Sequence, residues 1–424
     1  MAAQPQLQAE TPIDVQPARW HLATRIAFRF SVVYFGLFCL TTQIASSVIP
    51  FLHFGDPAIL PPIRNTVLWT AAHLFKIAGP IIYQGSGSGD KTFDWVLAFC
   101  ILVVAVCATV LWSILDRKRA AYSTAHKWFH LAMRIALGSQ MLIYGFVKVI
   151  PLQMPFPSLT RLLEPYGNFS PMSVLWYSIG ASPGYEIFAG SCEAIGGILL
   201  FFPRTALLGA MICLVDVVEV FTLNMTYDVP VKLFALHLIL LALLLVAPDA
   251  RRIAGVFLST RTIGPPASRA LFASNLGNWI ATGLVAALGL TLAGMNVYRS
   301  SQGWRQYGGG VAKPSLYGIW IVDPTSSSAW KHVVFESNGI MSFERPDDSF
   351  ATYRATINEK AGAIALGTSA GSGTLKYQRS GNDLTLDGKA GSQDIHLRAH
   401  LFDRNSLMII SRGFHWIQEY PFQR

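Results

Sequence analysis

The chain is short of charge. Only 13% of its 424 residues are Asp, Glu, Lys or Arg while 52% are hydrophobic, whereas ordinary soluble domains carry roughly a quarter charged residues. An ordinary water-soluble globule is excluded, and a membrane protein is the first expectation. Cysteine is sparse as well. The five residues Cys39, Cys100, Cys107, Cys192 and Cys213 all lie in apolar stretches, and none follows position 213. Cys100 and Cys107 share one predicted helix, too far apart along it for a disulfide. No C-x-x-C pair or Cys/His metal spacing occurs, so neither dithiol relay chemistry nor a metal centre is expected. A nucleotide loop is also missing: GSGSGDKT at 85–92 places Asp90 where a phosphate loop needs its last Gly, and no buried strand precedes it. It reads as a Gly-Ser turn joining a half-polar helix near 65–82 to an apolar span that starts around Trp95.

What is present is a series of apolar runs. Crossing about 30 Å of hydrocarbon takes roughly 20 helical residues, and seven stretches qualify: 28–48, 95–115, 128–150, 183–203, 205–224, 231–248 and 277–297. The first lies too far behind a polar start, and runs too long, for a cleaved signal peptide. Lys and Arg collect beside alternate span ends: Arg19, Arg25 and Arg29; Arg117, Lys118, Arg119 and Lys127; Arg251, Arg252, Arg261 and Arg269. Such segments face the cytoplasm. The expected product is an integral protein of a bacterial-type inner (plasma) membrane, its N-terminus cytoplasmic and everything after 298 periplasmic or otherwise external. The net charge of +9 then reports orientation, and without a basic stripe interleaved with aromatics no nucleic-acid partner is expected.

Ionisable residues inside spans are costly and usually face a bundle interior or a wet cavity. Here they cluster. At 100° per residue, His130, Arg134, Gln140, Tyr144 and Lys148 fall on one face of the third span. Glu186 and Glu193 lie seven apart on the fourth, in line with Gly190 and Gly197, which let another helix approach. The fifth carries Asp216, Glu219 and, at its outer end, Asn224. Asp228 and Lys232 follow at pairing distance, and His237 lies deeper in the sixth. With the orientation above, most of these groups fall within about the outer 15–18 Å of the bilayer. The expectation is a charged pocket open to the outside, with Glu193, Asp216, Glu219 and His237 as proton-handling groups and Gln140, Tyr144, Lys148, Glu186, Asn224, Asp228 and Lys232 as binding groups. The structural alternative is ordinary: Lys148, Glu186 and Lys232 snorkel to an interface, Glu193, Asp216 and Glu219 belong to an ion-pair network, Gln140 and Tyr144 are interhelical glue, and His237 packs.

Three stretches, YGFVKVIP, SPMSVLWYSIGASPGYEIFAGSCEAIGGILLFFPRTALLGA and TLNMTYDVPVKLFALHLILLALLLVAPD, resemble the DoxX family of small polytopic membrane proteins. The likeness spans about 140–250. It implies a four-helix bundle and association with membrane redox systems, including thiosulfate:quinone oxidoreductase subunits. This chain departs from a minimal member by extra spans on both sides and a large external domain.

That domain follows a polar, Gly-rich linker. From 316 onward come short alternating runs, LYGIWIV, HVVFES, MSFERP, ATYRATI, AIALGT, GTLKYQRS, DLTLDG, DIHLRAHLF and LMIISRGFHW, separated by NG, GSG, GND and DRNS. Eight or nine strands in this rhythm predict an up-and-down barrel or sandwich. Gly318-Ile319-Trp320 resembles the G-x-W of lipocalin-like barrels, which puts Arg412, on the last expected strand, across Trp320 as the closing cation. Either a filled interior or a cavity for a small apolar ligand is compatible with alternation, and a filled one is favoured. His415, Trp416 and Glu419 read as surface packing.

The expected fold class is therefore a membrane all-α bundle of about seven transmembrane helices, with a DoxX-like four-helix core, plus a C-terminal all-β barrel. The expected parts are a tail at 1–27, a hairpin at 28–127, the bundle at 128–250, a connector and last span at 251–298, a linker at 299–314 and the barrel at 315–424. Three function classes stay open: a redox-linked protein docking a quinone or similar isoprenoid head group, with an oxidoreductase subunit and its redox partner subunit among the forms this class takes; a proton-coupled transporter; and a non-enzymatic anchor or assembly and sensing subunit whose barrel binds a partner or apolar ligand. No haem, flavin or metal motif is encoded, so in the first class a diffusible cofactor or partner carries the electrons.

Overall fold

A computed structural model describes residues 19–48, 57–258, 270–368 and 371–423. The expected basic residues Arg261 and Arg269 lie outside the described residues, as does most of the 1–27 tail. Helices come first: α1 (Leu22–Thr41), α2 (Gln43–Val48), α3 (Pro61–His73), α4 (Thr92–Leu115), α5 (Ser123–Val149), α6 (Leu159–Leu163), α7 (Pro171–Gly180), α8 (Pro183–Leu200), α9 (Ala206–Thr226), α10 (Lys232–Val246), α11 (Ala250–Leu258) and α12 (Asn275–Gln306). Strands follow: β1 (Gly318–Val322), β2 (His332–Phe335), β3 (Ile340–Glu344), β4 (Phe350–Asn358), β5 (Ala363–Thr368), β6 (Gly371–Ser380), β7 (Asp383–Ala390) and β8 (Gln393–Leu401), then a short α13 (Met408–Ser411).

A helix stands at each of the seven expected spans. Five segments are long and apolar enough to cross a membrane: α1, α4, α9, α12 and the run Lys232–Leu258 through α10 and α11. α5 and α8 have the length, but charged residues interrupt their apolar character. Apolar residues also point away from the core, with Leu115 on α4 at 76% and Leu284 on α12 at 67% exposed. Helices apolar all round are suited to a membrane span or to burial in a larger core.

The chain divides into two compact units. One comprises Met1–Leu142, Ile195–Thr222 and Pro230–Leu292, and the other Ile143–Ala194, Leu223–Val229 and Ala293–Arg424. In the first, Phe35, Phe38, Ile44, Val67, Phe93, Leu97 and Ile101 form a core with Leu137, Met141 and Leu241. Arg29 is buried, donating to Tyr122 Oη at 2.8 and 2.9 Å, Ser113 Oγ at 2.9 Å and the Asp116 carbonyl at 2.9 Å. Arg25 donates to the Arg119 carbonyl at 2.6 Å. Two residues read as orientation markers thus also bind the start of α1 to the α4–α5 connection. Burial pushes the Tyr122 phenol above its ordinary range.

The glycine-rich loop is a turn, and Asp90 gives it a job. Its carboxylate accepts from the backbone N–H of Lys232 at 2.9 Å and of Leu233 at 2.8 Å, satisfying orphan donors at the start of α10. The half-polar helix before the loop is shorter than expected, ending at His73, because Lys76 and Gly79 take positive φ angles of 53° and 94°.

In the second unit, eight antiparallel strands form a closed barrel in sequence order, β8 pairing back to β1 through Trp320↔Leu401, Ile321↔His400 and Val322↔Ala399. Trp320, Val333, Phe335, Met341, Phe343, Ile364, Leu375 and Leu386 fill the interior with essentially no exposed surface, as the width of an eight-stranded barrel permits. Asn338-Gly339 turns β2 into β3, with Gly339 at φ 74°. Three expectations change. The ninth run, LMIISRGFHW, is not a strand but contains α13, since closure on β1 leaves β8 no free edge. GSG begins β6, and DRNS follows the last strand. The helical backbone of α12 continues to Gln306, into the expected linker: loss of hydropathy marks where lipid contact ends, not where helical hydrogen bonding ends.

The barrel is also packed from outside by a helix of its own unit. Ile319 and Val334 alternate with the inward Trp320, Val333 and Phe335, and they are buried against Leu159 of α6, with Leu162 and Leu163 beside them. Glu336 Oε1 accepts from Thr160 N at 2.9 Å and Thr160 Oγ1 at 3.0 Å.

Candidate functional site

The predicted polar face of α5 is its buried face: His130, Arg134, Gln140 and Lys148 are buried, and Tyr144 is half-buried. On α8 the line through Glu186, Gly190, Glu193 and Gly197 is likewise buried. In the second unit these faces meet through glycine. A Cβ on Gly190 would lie 2.6 Å from the Gly145 carbonyl and 2.5 Å from Lys148 Cβ, and one on Gly145 would lie 2.7 Å from Ala194 N. Small residues therefore bring the two backbones together.

That approach closes an ion pair. Lys148 Nζ donates to both Glu193 oxygens at 2.6 and 2.7 Å, with side-chain exposures of 8% and 4%. The ammonium also lies 5.9 Å from the Tyr144 ring centroid and within electrostatic reach of Glu186. Glu186 Oε1 accepts from Met154 N at 2.9 Å, whereas its buried Oε2 has no hydrogen-bond partner. Asn224 is buried. Asp228 sits in the turn after α9 with φ 52°, so the helical spacing expected between it and Lys232 is not helical.

The other expected site residues belong to the first unit. Gln140 is fully buried, accepts from Gln43 Nε2 at 3.0 Å and donates to Ser47 Oγ, which lies 2.9 Å from Ser139 Oγ. This network joins α2 to α5. His237 Nδ1 donates to the Leu233 carbonyl at 2.7 Å, which leaves Nε2 of the neutral ring to accept from the Tyr34 hydroxyl at 2.8 Å. The ring stacks on Phe38 at 3.9 Å. Lys232 Nζ lies 3.7 Å from Asp90. Asp216 is half-buried and Glu219 exposed on α9, so Glu219 is not the inward-facing carboxylate that was expected.

In the barrel, Trp320 Nε1 donates to the Leu316 carbonyl at 2.9 Å, and the cation over its ring is Arg379 of β6, 5.3 Å from the centroid. Arg412 does not close the barrel. As the cap of α13 it lies 4.5 Å from the Phe422 ring centroid and bonds His415 and Gln418. Glu344 is buried between His332 Nδ1 at 2.6 Å and Lys331 Nζ at 3.4 Å. The hydrogen bond that Lys331 Nζ donates to Asp348 Oδ1, at 2.8 Å, holds the ammonium above the usual lysine range. Among the described residues no group of three His, Cys, Asp or Glu is placed to hold a metal ion.

The partners that sequence reasoning missed are Tyr34, Gln43, Ser47, Asp90, Glu336 and Arg379. Asp90 left a signal, as the residue that broke the phosphate-loop pattern. Arg379 left none, because which strand crosses beneath Trp320 depends on closure.

No family model and no solved structure matches the chain. Over 124 residues it is 32% identical to Uncharacterized protein YwoB of Bacillus subtilis (strain 168), a stretch covering 29% of this chain and 79% of that protein. The chain belongs to the YwoB family. YwoB's name carries no ligand, partner or reaction, so membership places part of the chain and leaves its chemistry to the geometry above.

Proposed function

We propose that the protein is a seven-crossing, DoxX-like inner-membrane protein, N-terminus cytoplasmic, whose external barrel serves as a non-enzymatic assembly or sensing module for a protein partner. The observation that carries this reading is the seat of α6 on the barrel: Leu159 covers Ile319 and Val334, and Thr160 bonds Glu336. A barrel seated on the loop between two bundle helices is part of the membrane assembly rather than a tethered passenger. A seven-span count is supported by the inward direction of the charges on α5 and α8, which removes them from lipid. The surface offered to the partner is the segment after the barrel, where Phe414, Ile417, Tyr420 and Trp416, the last 91% exposed, stand together in sequence; such exposed apolar groups mark interaction sites. With a photo-crosslinking residue in place of Trp416 in native membranes, one defined protein adduct is expected. Lipid adducts alone, or none, would remove the reading.

One observation favours a second, redox-linked reading: the buried Glu186 Oε2 without a hydrogen bond, near Lys148. There a quinone carbonyl would be oriented by Lys148 and Tyr144, with Glu186 and Glu193 exchanging protons. Quinone should then co-purify with the gently solubilised parent and be lost from Glu186→Gln. Equal quinone content in both proteins rejects it.

A further inference from the structure

A second concentration of positive charge includes His130 and Arg134 of α5 but lies apart from the Lys148–Glu193 pair. A cavity of about 740 Å³ opens in the first unit between the start of α5, the α8–α9 turn, α11 and the start of α12. Its volume suits a small-ligand site, which spans roughly 300–1,000 Å³. Four permanent cations, Lys127, Arg134, Arg204 and Arg252, line it against one carboxylate, Asp249, and His126 and His130 add two imidazoles.

Several of these groups are committed to the fold. Arg134 donates through Nε and Nη2 to the Leu200 carbonyl at 2.8 and 2.6 Å, Lys127 Nζ to the Ala270 carbonyl at 2.7 Å, and Arg252 Nη1 to Asp249 at 2.8 Å. Two donors are not so committed. Arg252 Nε is buried without a hydrogen-bond partner, and Arg204 is exposed with no ion pair or hydrogen bond among the described residues. A cavity with surplus cations and an unsatisfied buried guanidinium N–H is suited to an oxyanion. Asn275, the first residue of α12, also lines the cavity, and the positive end of a long helix adds to the attraction.

We infer that this cavity binds the phosphoryl head group of an anionic phospholipid. The lipid source follows from two features. Leu131, Leu207 and Val285 line the same cavity as the cations, offering one amphiphile both an anionic head site and an apolar wall. Next to it, α11 carries Arg251 and Arg252 and exposes Val256, Phe257 and Leu258, the composition of a helix lying in a membrane interface. Basic pockets between membrane helices hold such head groups. This site is independent of the Lys148–Glu193 pair and of the barrel's partner.

The test uses the full chain in detergent, with native mass spectrometry and thermal unfolding after addition of phosphatidylglycerol, phosphatidylcholine or inorganic phosphate. Phosphatidylglycerol should bind and raise the midpoint, and phosphatidylcholine should not. Each cation removed should weaken phosphatidylglycerol binding roughly fivefold, so Arg204→Gln and Arg252→Gln each give that loss and the double variant about 25-fold. Because Arg204 is exposed and makes no ion pair or hydrogen bond among the described residues, Arg204→Gln should keep the parent midpoint without lipid. Unchanged phosphatidylglycerol affinity in that variant, or equal binding of phosphatidylcholine, overturns the site. Displacement of the lipid by inorganic phosphate overturns the lipid source and assigns a soluble phosphorylated ligand.

Discussion

Cutting Lys148 to Met in the full-length protein should cost about 3–5 kcal/mol of stability, the penalty for stranding one side of a buried pair. The variant leaves two buried carboxylates, Glu193 and Glu186, without the cation that faces both. Glu193→Gln should be milder, because Glu186 remains within reach of Lys148 and because a neutral amide can still accept from the ammonium. The double variant Lys148→Met, Glu193→Leu should recover most of the loss, since an apolar pair of similar volume avoids both desolvation penalties. Thermal unfolding of the parent, Lys148→Met, Glu193→Leu and the double variant in one detergent gives the cycle, with Glu193→Gln as the isosteric comparison. If each single change costs under about 1 kcal/mol, the pair behaves like a solvated surface bridge, and the close α5–α8 packing around Gly145 and Gly190 is wrong.

How far this arrangement could be read beforehand depends on which physics sets each part. Long apolar runs are set by bilayer thickness, so helices stand at all seven expected places. The inward faces of α5 and α8 follow from helical geometry alone, which is why Gln140, Lys148, Glu186 and Glu193 were correctly expected to point inward. Partner choice does not follow from geometry within one helix. Lys148 meets Glu193 because glycines at 145 and 190 let the backbones touch, and Lys232 meets Asp90, a residue in a loop more than a hundred positions away. Of the residues expected to share a pocket, Tyr144, Lys148, Glu186, Glu193, Asn224 and Asp228 belong to one compact unit, and Gln140, Asp216, Glu219, Lys232 and His237 to the other. His237, read as a proton carrier, has both nitrogens engaged, by Leu233 and Tyr34.

The barrel gives a second case in which a residue type was expected correctly and its position was not, and it carries the other large prediction. Alternation predicts strands but says nothing of when the sheet closes, so an apolar run after the eighth strand was read as a ninth and Arg412 as the cation over Trp320. Closure through β1 and β8 gives that place to Arg379. Three substitutions separate the two accounts. Trp320→Ala empties the centre of a filled core and should destabilise the barrel by about 3–5 kcal/mol. Arg379→Ala should cost roughly 0.5–1 kcal/mol, the value of an aromatic-stacked cation at a partly open site. Arg412→Ala should leave the barrel unchanged, because its partners Phe422, His415 and Gln418 all lie within the C-terminal segment. Hydrogen exchange of β1, β2 and β8 amides in the full chain reads all three, since exchange from closed strands requires the barrel to open. Faster exchange in Arg412→Ala with none in Arg379→Ala would restore the ninth strand and refute the eight-stranded closure.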